Sequence, residues 1–381
     1  MRADDYLAEL QQVAFQAIGV EAAGRHRTAG LNRVSSLLWM LAQSAPLLDR
    51  KRYADFRKTT CETLKRESEG RDPRRLATSF DELLAGIAAA VVELAREVCD
   101  EPGLDVTCGS LPAGHLEGLV IAVPDQPLTH IVVTDEWFPT YANLFAKVLA
   151  RVLIGVEAGD EDVLSLGSPA VSRFLEMMLA TLNGSPSDAP QYYPDQEPTY
   201  LRLVQVVRTA IETFVVARLV AHVALDHHER AQLLPVSLPG ATVHARRYDQ
   251  EQVTEADAAA LLITLRAPDL DGVGPFAVAA VDLFLASLAM LDDAHALAAR
   301  AEEPRPEPSA VDWLTIEESA DPGFHHARRA ALRDYLRELE NEPTHDGGPE
   351  EAPARVTEWL DQLDEVPRAL WQHLRTVLEA R

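Results

Sequence analysis

The chain has 381 residues, 47% hydrophobic, 25% charged and only 6% aromatic. That is long enough for two or three domains, or for one large domain with appendages, and the abundance of Ala, Leu and Arg favours helix over sheet. A formal net charge of −25 argues against a general affinity for nucleic acid or for an anionic membrane, because like charges repel.

The charge is unevenly spread. Residues 1–80 carry 14 Lys and Arg against 10 Asp and Glu, while the remainder carries 21 against 50. The N-terminal part is thus suited to dock on an acidic partner or on the rest of its own chain. The three cysteines, Cys61, Cys99 and Cys108, form no Cys-x-x-Cys pair, and an odd number without that spacing suggests neither a disulfide framework nor a Cys-ligated zinc. The start, Met-Arg-Ala-Asp-Asp-Tyr, lacks the basic-then-apolar order of a signal segment. The longest apolar runs are 84–95 and 276–291, the second interrupted by Asp282, and both are shorter than the ~20 residues of a bilayer span. The expectation is a cytoplasmic protein without a membrane span.

Helical spacing of Leu, Val, Ile and Met marks 4–20 and 30–48. A charged stretch, 50–75, ends in the loop signal Gly70-Arg71-Asp72-Pro73. A helix capped by Ser79 or Asp81 is expected to run to about Asp100, where Pro102-Gly103 stops it. Three short β-rich runs follow, 104–108, 119–123 and 129–133, with a turn at 124–127 between the last two. They predict a small sheet of about three strands. Helices are expected at 140–156, 169–183, 198–230, 253–266, 275–300, near 311–319 and at 324–341. Pro-rich and acidic linkers fall at 302–308 and 342–353, and one amphipathic helix is expected over 354–380. The fold class is α+β and mostly helical. The expected organisation is a helical region at 1–100, a core at 101–301, a linker and core helix at 302–341, and an acidic linker with the terminal helix at 342–381.

The most informative stretch is Thr213–His227, which contains Arg218-Leu219-Val220-Ala221-His222. Downstream lie Val253-Thr254-Glu255-Ala256-Asp257-Ala258, then Asp321-Pro322, then the basic run Arg328-Arg329-Ala330-Ala331-Leu332-Arg333. In order and spacing, over roughly residues 104–340, this set resembles the gluzincin metallopeptidases of the CAAX-processing and heat-shock membrane protease kind, with the motif residues largely lost. Those enzymes need two His one helical turn apart to chelate zinc and a Glu beside the first to act on the zinc-bound water. The resemblance puts Arg218 at the first ligand, Leu219 at the general base, His222 at the second ligand and Val253 at the third, with Asp257 matching the Asp of the Ala-Asp pair. Arg has no lone pair to give and Leu cannot accept a proton. The resemblance therefore implies an inactive peptidase homologue that binds, scaffolds or regulates a protein or peptide partner, without catalytic residues and without a metal. Arg218 is expected to fill the vacant metal position and to pair with Glu251, Glu255 or Asp257. An extended peptide would lie beside the sheet edge and the 198–230 helix.

Two alternatives stand beside this reading. One is a metal-dependent hydrolase in which His222, Asp226 and Glu255 hold zinc, manganese or iron, His222 and Asp226 sharing a face of a continuous helix. The other is a helical interaction protein unrelated to peptidases. Other candidates are weaker. Ser110 and Ser168 have no base close in sequence, Tyr192-Tyr193 and Trp137-Phe138 are expected in loops, and His325-His326 at an exposed helix start.

Overall fold

A computed structural model describes residues 2–14, 17, 78–113, 116–124, 126–183, 197–300, 323–341 and 356–380. The expected helices at 30–48 and 311–319, both linkers and Tyr192-Tyr193 lie outside the described residues. The fold is α+β and mostly helical around a small mixed sheet. In chain order the elements are α1 (residues 3–14), α2 (Thr78–Val98), β1 (Thr107–Leu111), β2 (Leu119–Val123), β3 (Gln126–Asp135), α3 (Phe138–Glu157), α4 (Pro169–Leu182), α5 (Pro198–Ala224), β4 (Gln232–Leu238), β5 (Ala241–Arg247), α6 (Gln250–Arg266), α7 (Gly274–Arg300), α8 (Phe324–Asn341), α9 (Val356–Leu363) and α10 (Glu365–Glu379).

The sheet has five strands in the order β1-β3-β2-β5-β4. β1 runs parallel to β3, and the other pairs are antiparallel. Side chains alternate between its faces, as a pleated strand requires. Val120 and Val132 belong to the large helical core. Leu119, Ile121, Val123, Ile131 and Val133 face the other way, where Leu7, Leu10 and Ala14 of α1 cover them. Burial on both faces explains why β2 reads as five consecutive apolar residues.

Two strands exceed the expected three. The β4–β5 hairpin turns at Pro239-Gly240, where Gly240 sits at φ 74. The expected helix 198–230 is shorter than its apolar pattern suggests. It ends at Ala224, and a single 3-10 turn, His227–Glu229, follows. Asp226 ends it by taking a left-handed conformation, φ 53, which Asp tolerates better than most residues because its short side chain bonds locally.

Local signals set several helix starts. Ser168 Oγ accepts from Ala170 N at 3.2 Å ahead of α4. Asp249 and Gln252 form a reciprocal capping box on α6, each side chain bonding the other's backbone N–H at 2.9 and 3.0 Å, which satisfies two of the donors every helix N-terminus leaves open. Trp137 and Phe138, expected in a loop, are buried at the start of α3.

α5 and α7 are apolar on nearly all sides, the pattern of helices surrounded by protein. By length and composition Gly274–Leu297 would suffice to cross a membrane, but 83% of its most apolar window is buried inside the fold. One apolar cluster extends from Leu84 to Leu374, so α2 and the C-terminal helices share the core of α3, α5 and α7. The single terminal helix expected over 354–380 is two helices that break at Asp364 and pack back on α4, α7 and α8.

Candidate functional site

α5 and α6 pack against each other, and a buried polar cluster lies at their contact with α8 and the turn before β2. Its hub is Glu117, followed by Gly118 at φ 75. A Cβ on Gly118 would stand 2.3 Å from Val133 O and 2.7 Å from Leu219 Cδ1. Only glycine lets the turn press this close to β3 and α5, so Gly118 fixes where the Glu117 carboxylate sits.

Arg218 Nη2 donates to Glu117 O at 3.0 Å and lies 3.7 Å from Glu117 Oε1. Arg328 is fully buried. It donates through Nε and Nη2 to both oxygens of Asp257, at 2.8 and 2.7 Å, and through Nη1 to Glu117 Oε1. One turn earlier on α8, His325 places Nε2 2.7 Å from Glu117 Oε2 and Nδ1 2.5 Å from Asp292 Oδ2 of α7. An imidazole flanked by two carboxylates donates from both nitrogens and is therefore cationic. Burial works against that charge, but Glu117 and Asp292 raise the His325 pKa above the usual range. Burial likewise would raise the Glu117 carboxyl, and Arg218, Arg328 and His325 together hold it well below the usual carboxylate range. Three carboxylates, Glu117, Asp257 and Asp292, thus face three cations, Arg218, Arg328 and His325. The set is charge-balanced, the condition under which buried charges persist.

Beside this cluster lies a second one, built on two histidine rings. His222, 1% exposed, stacks on Tyr248 with ring centroids 3.7 Å apart and an interplanar angle of 7°. Its Nδ1 is 2.9 Å from His227 Nδ1, and His227 Nε2 is 2.9 Å from Glu255 Oε2. Gln252 Nε2 holds the His227 carbonyl at 2.9 Å. Burial first, then Arg218, His227 and Arg328, push the His222 pKa well below its usual value, against the opposite pull of Glu117. Burial also lowers His227, with Glu255 opposing it.

The expected residues therefore divide. Arg218, Asp257 and Glu117 join one network, and His222 and Glu255 are joined through His227. Leu219 and Val253 are buried and apolar. The expected partner of Arg218 is corrected: it sits against Glu117, while Asp257 is taken up by Arg328 and Glu255 by His227 and Arg230. The trio His222, Asp226 and Glu255 is not brought together. The premise of one helical face fails at the left-handed Asp226, whose exposed carboxylate lies 3.8 Å from His228 Nδ1, and Glu255 reaches His227 instead. Among the described residues no group of three or more His, Cys, Asp or Glu side chains is arranged to hold a metal ion. Ser168 is a helix cap, Ser110 is a buried strand residue, and His325, expected at the surface, is buried at the centre of the network while His326 beside it is exposed.

Glu117, Asp292, His227 and Tyr248 carry the site without a sequence motif. A signal existed for Asp292, one of three Asp residues in a largely apolar helix, since a buried carboxylate requires a cation. Glu117 had none, because its partners lie 101 to 211 residues away. Comparison with family models, with curated proteins and with solved structures gives no match.

Proposed function

We propose that the chain is a homologue of the gluzincin metallopeptidases that no longer cleaves peptides and acts in the cytoplasm as a binding, scaffolding or regulatory protein. The observation that carries this reading is the charge-balanced network around Glu117. Arg218, which the resemblance puts at the first metal ligand, points a guanidinium at Glu117, and Leu219 puts a hydrocarbon at the general-base position. A dication added among three already neutralised carboxylates would meet the repulsion of Arg218 and Arg328 with no spare negative charge to offset it. Such a network holds α5, α6, α7 and α8 together.

The partner of this reading is an extended peptide. β4 is an edge strand, paired among the described residues with β5 alone, and its exposure alternates toward its C-terminal end. Edge strands bind peptides by adding a strand through main-chain hydrogen bonds. The test is incubation of the purified full chain with a library of extended peptides, followed by mass spectrometry of bound and free fractions. Peptides recovered bound and intact are expected. Cleaved products would overturn the inactive reading, and a library without any binder would overturn the peptide-holding reading.

A further inference from the structure

The two histidines near the end of α5 define a proton arrangement that the ion network does not use. His227 Nε2 faces a carboxylate oxygen of Glu255 at 2.9 Å, so that nitrogen carries the proton. Neutral imidazole has one N–H and one lone pair, which leaves His227 Nδ1 as an acceptor. His222 Nδ1 lies 2.9 Å from it, and two lone pairs do not face each other at that distance. The proton between the rings therefore belongs to His222 Nδ1. The remaining nitrogen, His222 Nε2, is left with a lone pair, and it is buried with no hydrogen-bond partner among the described residues. Each assignment forces the next, starting from the half-exposed Glu255.

We propose that Glu255, His227 and His222 form a proton relay between solvent and a buried acceptor, the Nε2 lone pair of His222. The relay rests on hydrogen-bond geometry and is independent of the peptidase reading. Its bookkeeping closes in one concerted shift. A proton given to His222 Nε2 by a protic group displaces the Nδ1 proton onto His227 Nδ1. That in turn displaces the His227 Nε2 proton onto Glu255, whose carboxyl is exposed and releases it to water. Three protons each move one place and both rings stay neutral; the donor is left as its conjugate base, whose negative charge the nearby Arg218 and Arg328 favour. The chemical class accepted at Nε2 is a hydroxyl or N–H donor.

The surroundings suit this use. Tyr248 stacks flat on the His222 ring and prevents it from turning, and Gln252 fixes the backbone of His227. The charged groups acting on His222 are Arg218 of α5, Arg328 of α8 and Glu117 before β2. Those acting on His227 are Glu255 of α6, Arg230 after the 3-10 turn and Asp249 at the α6 cap. The cations disfavour a charged imidazole at His222, so a relay through neutral rings is the form of proton transfer this environment permits.

The experiment is 15N NMR of the histidine rings in the full chain at neutral pH, with single His→Gln variants for assignment and Glu255→Ala as the probe. The expected result is a protonated Nδ1 and bare Nε2 on His222, the reverse tautomer on His227, and a perturbation of both rings in Glu255→Ala. His222 found as the Nε2–H tautomer would overturn the relay. So would a Glu255→Ala spectrum in which only His227 moves. Helical circular dichroism of each variant separates a lost relay from a lost fold.

Discussion

Among the described residues two ion networks look alike in composition and differ in depth: the first is buried or nearly so throughout, and the second runs from a buried Asp282 out to half-solvated carboxylates. The first joins Glu117, Asp257, Asp292, Arg218, His325 and Arg328 at the contact of α5, α6, α7 and α8. The second joins Asp282 of α7 to Arg329 and Arg333 of α8, and these to Asp361 and Asp364 where α9 meets α10. Arg328 has no exposed side-chain surface, whereas Asp361 and Asp364 are 57% and 35% exposed. Depth decides what each can do. Charges sealed from water are costly to leave alone and hold a unique arrangement, while half-solvated charges are screened and contribute little each. The inner network specifies the site; the outer one orients the C-terminal pair of helices, whose attachment comes from buried Leu360, Leu363, Leu370 and Leu374.

Substitutions sharpen this contrast, beginning with the largest effect. Arg328→Met removes one cation that serves two buried carboxylates. It is expected to lower unfolding free energy by about 3–5 kcal/mol, read from urea denaturation of the full chain. A loss under about 1 kcal/mol would show that water reaches the network. Asp282→Asn comes next. Its carboxylate is 1% exposed and accepts from both Arg329 and Arg333, so a loss of about 3 kcal/mol is expected by the same reasoning. Asp364→Asn is expected to cost about 1 kcal/mol or less, and the cost should shrink at high salt because the group is partly solvated. A salt-independent loss as large as that of Arg328→Met would erase the distinction between the networks.

Acid gives a fourth prediction, smaller in reach because opposing groups share it. His130, in β3, is buried beside His228 and Arg246. Burial first, then these two, lower its pKa to about 4. The unfolded chain binds a proton there below about pH 6.5 while the folded chain does not. The His130 contribution to stability should therefore fall as pH drops from about 6.5 toward 4 and be flat above that range. His325 has the opposite sign. Its raised pKa gives stability that is complete below about pH 6.5 and is lost as pH rises through the folded value. Replacing His130 by Phe should make the acid limb shallower and leave the alkaline one, the remainder of the acid limb coming from His222 and His227, whose pKa values are also lowered by burial. Denaturation midpoints from pH 4 to 9 for the two chains would check this, and an unchanged acid limb would assign it elsewhere.

How much was legible beforehand follows the same division between local and distant causes. β2, α8 and the body of α5 were legible because apolar spacing is local. The end of α5 was not, because Asp226 breaks it by backbone conformation and not by composition. The β4–β5 hairpin left a readable trace, Pro239-Gly240 between Val236, Leu238 and Val243, Ala245, and turn residues between alternating apolar positions are a hairpin signal. At the site, the position of Arg218 one turn before His222 was visible, but its partner was not. Glu117 is an isolated carboxylate in a Gly-containing turn, and only the packing of β3 against α5, with the turn pressed onto both, brings it there. The break of the terminal helix at Asp364 also left a local trace, because Pro367 has no N–H to donate to the Leu363 carbonyl one turn earlier.

The central claim is that a balanced set of buried charges stands where the resemblance would place a metal. Elemental analysis of the purified, untagged full chain after dialysis tests it most directly, with His222→Ala as the companion protein. The account predicts no stoichiometric metal in either. About one zinc, manganese or iron per chain, lost in His222→Ala, would contradict it.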